Sequence, residues 1–338
     1  MPAPGSRLIS NRAAVYILAF FYLIAIARSG VADSSLLYKE AQFVVGFKPD
    51  ISQLTFYSQS QLDVMQKPSL GIDYLHRFSD ETGDKARFAF QGRLAWNNLG
   101  TDRKFEPQIY NAYIKFKNPT ADLWLGHARV AYGLSSYFDS HALLLPTLGM
   151  SDLGFDRDWG AGLAHDTAWG DLSFSLTTGS GMPLYAGENN LVSGRISWGV
   201  LNRDNVNVGL SKASGKLLQP MEYDFMPGMI YAVDYTGIDA AFLFENYELR
   251  AESTAGSKDA KSYHSFWVRG GIKMLEEEIL KLELQATSAT LQDLTQRLYS
   301  AGIAYLLNED ITLRMMYQTG DPSESAMAVF QCYYYTPW

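Results

Sequence analysis

From residue 51 to the C-terminus the chain repeats one unit: about ten residues of alternating apolar and polar side chains, then a turn. Successive side chains of a strand point to opposite faces, so a period of two marks a sheet with one apolar and one polar face. In 86–97, Phe88, Phe90, Leu94 and Trp96 share one face, and Arg87, Gln91, Arg93 and Asn97 the other. In 109–117, Tyr110, Ala112, Ile114 and Phe116 oppose Asn111, Tyr113, Lys115 and Lys117. The same alternation recurs in 266–274, 279–287 and 311–318.

End to end, the pattern predicts about sixteen strands, from 51–65 to 326–338, with 205–214, 228–236, 239–254 and 264–274 in the middle of the series. Short turns such as Asn118–Ala121 and Tyr235–Ile238 alternate with longer connections at 99–105, 135–158, 181–189, 215–227, 255–263, 291–296 and 321–325. No backbone polar group can stay unpaired in lipid, so a sheet in a membrane must close on itself. The expected fold is therefore all-β: an up-and-down antiparallel transmembrane β-barrel, with the barrel domain at 51–338 and both termini on the short-turn side. A soluble sandwich or propeller would also alternate, but would not crowd aromatics at strand ends or alternate short turns with long loops. Residues 33–50 read as a periplasmic N-terminal segment, a plug or an extra short strand.

The N-terminus has the layout of an export signal. Arg7 and Arg12 precede the apolar run Ala13–Ala27, and Gly30-Val31-Ala32 supplies small residues for cleavage. The run falls short of the roughly 20 residues a spanning helix needs. Residues 1–32 are therefore expected to be removed. That takes three arginines and no acid from 28 basic and 36 acidic side chains, leaving 25 against 36 and a net charge of −11. Such a balance argues against a nucleic-acid partner. Cys332 is the one cysteine, so the chain can build neither an internal disulfide nor a Cys-x-x-Cys-His haem attachment.

The final strand, Phe330-Gln331-Cys332-Tyr333-Tyr334-Tyr335-Thr336-Pro337-Trp338, ends on an aromatic residue and here resembles bacterial outer-membrane barrels. The resemblance implies an outer-membrane address and handling by the barrel-assembly machinery. Leu123-Trp124-Leu125-Gly126-His127-Ala128-Arg129-Val130-Ala131-Tyr132-Gly133-Leu134 resembles a strand of the phosphate-selective and related porins. That implies a sixteen-stranded channel. Phosphate selectivity does not carry over, because the mature chain is acidic and lacks a dense arginine ladder. The longest connection, 135–158, is the third on its rim. In general sixteen-stranded porins that loop folds into the barrel and narrows it, so the resemblance implies a constriction here. Its Tyr137, Phe138, Leu143, Leu144, Leu145, Pro146 and Leu148 suit packing on an inner wall, and Asp139, Asp152, Asp156, Arg157 and Asp158 could line the passage.

By parity Arg87, Arg93, Lys115, Lys117, His127 and Arg129 form a pore-lining basic wall on the third to fifth strands. An acidic loop facing that wall would set up a transverse field in a narrow, partly dehydrated passage. His76, His127, His141, His165 and His264 are scattered without metal spacing, and no Gly-x-Ser-x-Gly elbow, P-loop or dinucleotide fingerprint occurs. No catalytic or metal residue and no cofactor is therefore expected. The expected activity is passive diffusion of small polar or charged solutes through an outer-membrane porin surrounded by lipid. By family analogy the assembly is a homotrimer. The alternative is a sheath around an exported partner, such as a multihaem cytochrome.

Overall fold

The computed structural model describes residues 32–47, 54–56, 66–96, 105–138, 141, 143–201, 203–221, 224–275, 279–321 and 326–338. Its strands are β1 (Ala32–Phe47), β2 (Leu54–Phe56), β3 (Ser69–Asp80), β4 (Gly83–Trp96), β5 (Phe105–Phe116), β6 (Asp122–Arg129), β7 (Arg157–Asp166), β8 (Gly170–Thr177) and β9 (Asn190–Trp198), followed by β10 (Val206–Met221), β11 (Asp224–Phe244), β12 (Tyr247–Lys258), β13 (Lys261–Met274), β14 (Leu280–Leu291), β15 (Leu294–Leu306), β16 (Ile311–Asp321) and β17 (Met327–Pro337). Every pairing is antiparallel, and neighbours in sequence are neighbours in the sheet. β1 closes the ring. One edge pairs with β17, from Tyr38↔Pro337 to Phe47↔Ala328, and the other pairs with β3. β2 is a three-residue piece on the end of β1, so sixteen strands make the closed barrel.

The expected strand number holds, but the members differ. Within the expected segment 33–50, the residues up to Phe47 form a full wall strand, β1, and 48–50 lie outside the described residues, whereas 51–65 contributes only β2 among the described residues. The expected loop 215–227 is largely strand, because β10 runs to Met221 and β11 starts at Asp224. The turn expected at 235–238 lies inside β11, and the expected strand 239–254 breaks at Glu245-Asn246. Likewise 255–263 and 291–296 shrink to tight hairpins at Asp259-Ala260 and Gln292-Asp293. Both Asp259 and Ala260 have positive φ, 48° and 59°, as a two-residue hairpin of primed type requires. The sequence there lacks the Asn-Gly or Asp-Gly pair that announces such a turn.

The outer surface is an apolar belt in which Leu70 is 70% exposed, Leu284 69% and Ile238 58%. Inward positions are mostly polar. One parity expectation fails at a β-bulge. The β4–β5 register passes from Gln91↔Asn111 to Gly92↔Ile109, so Tyr110 is the extra residue. A bulge puts two consecutive side chains on one face. Tyr110 is therefore buried inside the barrel, where it accepts a hydrogen bond from Arg93.

Candidate functional site

The chain between β6 and β7 turns into the lumen and is built into it. Its first limb follows the inner wall. The N–H groups of Ala131 and Gly133 donate to Ser175 Oγ (3.1 Å) and Ser211 Oγ (3.0 Å). The Tyr132 hydroxyl meets Thr254 Oγ1 at 2.9 Å, and Leu134 N–H donates to Glu252 Oε2 at 3.2 Å. A 3-10 turn, Leu134–Ser136, follows. Further on, Leu144 and Leu145 pack with Val44, Met316 and Val329, which belong to β1, β16 and β17. Arg269 of β13 donates to the carbonyls of Leu145 and Pro146, each at 3.0 Å. A short helix, Leu148–Asp152, seats Leu148 with Ala241 and Trp267. Leu153 and Phe155 then join Val130 and Tyr132 in an apolar cluster with Leu191, Leu217 and Tyr235. The loop thus docks on the wall at β9–β14 and again at β1, β16 and β17.

The loop acids take different places. Asp139 lies outside the described residues. Asp152 is 1% exposed and accepts hydrogen bonds from Tyr263 (2.7 Å) and Ser265 (3.1 Å). Burial pushes its carboxyl up to about 6, against the hydrogen bonds from Thr254, Tyr263 and Ser265 that favour the ionised form. Asp158 is fully buried, and the N–H groups of Gly179, Ser180 and Gly181 all point at it. These two carboxylates are engaged in fixing the loop and the β8–β9 connection. Asp156 pairs with Arg157 at 2.6 Å, and Arg157 also reaches Asn111 at 3.2 Å.

The basic residues also separate. Arg93 is 4% exposed and contacts Gln108, Gln66 and Tyr110, with Glu40 of β1 at 3.6 Å. His127 is buried against Trp159, with Nδ1 3.0 Å from the Tyr110 carbonyl. Lys115 and Lys117 both pair with Asp122, at 3.0 and 2.6 Å, beside the β5–β6 turn. Arg87 and Arg129 are only partly buried. Arg87 donates to the Tyr113 hydroxyl (2.6 Å), and Arg129 to the Tyr137 carbonyl of the loop (2.5 Å).

Several inward groups were not among the predicted site residues. Glu40 joins Arg93 to His141, whose Nε2 is 2.9 Å away. Arg250 lies over the Phe138 ring at 3.5 Å and pairs with Glu248 (2.9 Å), which Lys281 also meets at 2.8 Å. Arg314, expected to point inward by the alternation of 311–318, lies over Tyr333 at 4.9 Å. Glu248, Arg250, Glu252 and Thr254 alternate along β12, a signal hidden by the misplaced hairpin. Among the described residues no group of three His, Cys, Asp or Glu side chains could hold a metal ion.

No family model matches this sequence, and no curated protein matches it. Solved structures do share the fold. An anion-selective porin from Comamonas acidovorans is 12% identical, with a TM-score of 0.61, over 90% of this chain and 100% of that one. OmpT of Vibrio cholerae in its trimer form, an outer-membrane protein, is 11% identical with a TM-score of 0.62, over 91% and 100%. OmpF of Salmonella typhi, in complex with daunomycin, is 10% identical with a TM-score of 0.63, over 89% and 97%. The barrel is therefore porin-like in fold.

Proposed function

We propose that this chain is an outer-membrane porin, a channel rather than an enzyme, through which small polar or charged solutes diffuse passively. The observation that carries the reading is the inward loop. A closed barrel with an apolar exterior and a charged interior is crossed by its own β6–β7 connection, and solutes are taken to pass beside it. Channels select by the fixed charges on such a route. The partly exposed Arg87, Arg129 and Arg314 supply a cationic lining that favours anions over cations of equal size. A sheath around an exported partner has less in its favour, because the loop already occupies lumen space that a partner would need.

The test is planar-bilayer recording of the detergent-folded protein under a salt gradient. Discrete ohmic conductance steps are expected from the protein alone. Arg87→Glu and Arg129→Glu are expected to shift the reversal potential towards cations, because each inverts a charge facing the route. A folded barrel that passes no current would end the channel reading, and unshifted potentials would remove these two arginines from the conduction path.

We further read residues 1–32 as an export signal, lipid as the surroundings of the belt, the barrel-assembly machinery as the insertion partner and a homotrimer as the assembly. Asp33 pairs with Phe78 near the start of β1, so a mature chain starting there would begin within the wall. Mass spectrometry of outer-membrane material is expected to find an N-terminus at or near Asp33. An intact Met1 there would refute the signal.

A further inference from the structure

We propose that Glu252 is the latch that holds the inward loop against the wall, and so a positioning residue for conduction; this rests on the porin reading above. β12 carries Arg250, Glu252 and Thr254 inward at alternate positions, about 6.6–6.8 Å apart. The first limb of the loop meets them in order. Tyr132 bonds Thr254, Leu134 bonds Glu252, and Phe138 lies under Arg250. The strand is a docking rail for the loop.

Glu252 is the rung whose presence the wall itself does not explain. It is 2% exposed. Its cross-strand partner on β11 is Asp239, another buried carboxylate, and on β13 it faces Trp267. Like charges directly opposite destabilise a sheet, and a buried carboxylate without compensation is costly. Asp239 is compensated by Arg195, whose Nε and Nη2 reach its two oxygens at 3.0 and 2.5 Å. Among the described residues Glu252 forms no ion pair: its Oε1 has no hydrogen-bond partner there, and Oε2 accepts the Leu134 N–H of the loop.

The loop is shaped to this contact. Gly133 sits at φ 55°, ψ −161°, a region open essentially to glycine. A Cβ there would run into the Glu252 carboxylate. Gly133 both makes the bend that takes the chain off β6 into the lumen and lets it close on Glu252. Without the acceptor, the buried Leu134 N–H is stranded and the first turn of the loop loses its anchor.

The experiment compares Glu252→Gln with Glu252→Ala in the full barrel, each first shown to be folded by heat-modifiable gel migration. Glutamine keeps an acceptor oxygen and should behave as wild type. Alanine should raise open-channel current noise severalfold, raise the mean conductance, and open the loop to chymotrypsin near Tyr137 and Phe138. A folded Glu252→Ala barrel with wild-type noise and a protected loop overturns the proposal, as does Glu252→Gln if equally disturbed. Should Glu252→Ala fail to fold, Gly133→Ala wedges the same contact and is expected to release the loop; a protected loop there overturns the latch. If the barrel conducts nothing, the porin reading fails, while the proteolysis still decides the latch.

Discussion

Deleting residues 140–152 is expected to raise single-channel conductance severalfold in a correctly folded barrel. The resistance of a water-filled passage is concentrated where it is narrowest, and the deleted segment is the part of the loop that reaches β1, β16 and β17. It carries Leu144 and Leu145, which cover Val44, Met316 and Val329, and Leu148, which lies on Trp267. The deletion also frees Arg269 from the carbonyls of Leu145 and Pro146, so a guanidinium now tied to the loop would face the widened lumen. A stability loss accompanies the gain, because burying each such leucine contributes roughly 1.5–3 kcal/mol. The unfolding temperature should therefore fall as conductance rises. Single-channel recording beside thermal unfolding followed on a gel checks both. Unchanged conductance in a folded deletion variant would show that the loop is not the constriction.

Arg93→Glu is expected to act on folding before it acts on selectivity. Arg93 is 4% exposed and lies among Gln66, Gln108, Tyr110 and Glu40. Removing one partner from a buried ion pair costs about 3–5 kcal/mol, because the other charge is left uncompensated. The substitution goes further, placing a second carboxylate against Glu40, which joins β1 to the loop through His141. The folded gel band should be lost or its denaturation midpoint strongly lowered, whereas Arg129→Glu, at a partly exposed position, should keep most of the stability. If Arg93→Glu folds with wild-type stability and changes only the reversal potential, Arg93 is a lining charge and not a structural one.

Much of the architecture was legible without coordinates. Alternation is a local property, and lipid forces it: outward side chains must be apolar and the sheet must close. That determined the all-β class and the strand number. The length and apolar content of 135–158 marked it as a segment that would not stay in water.

Other features depend on contacts between residues far apart in the chain, and only the tertiary structure decided them. The segment up to Phe47 became a wall strand because β17 and β3 each offered an edge, and closure needs both edges filled. The hairpin at Glu245-Asn246 escaped detection because a glutamate adopts positive φ there, and the turns at Asp259-Ala260 and Gln292-Asp293, inside the expected connections 255–263 and 291–296, are tighter than expected because Ala260 and Gln292 do the same. Tyr110 changed faces because one bulge reverses the alternation beyond it. The acids of the loop divided according to what the closed ring brought to them. Asp152 met Tyr263 and Ser265, Asp158 met three backbone N–H groups, and Asp156 met Arg157. Sequence gives a side chain's type and its face. The availability of its charge depends on burial and partners, and those exist only once the barrel has closed around its loop.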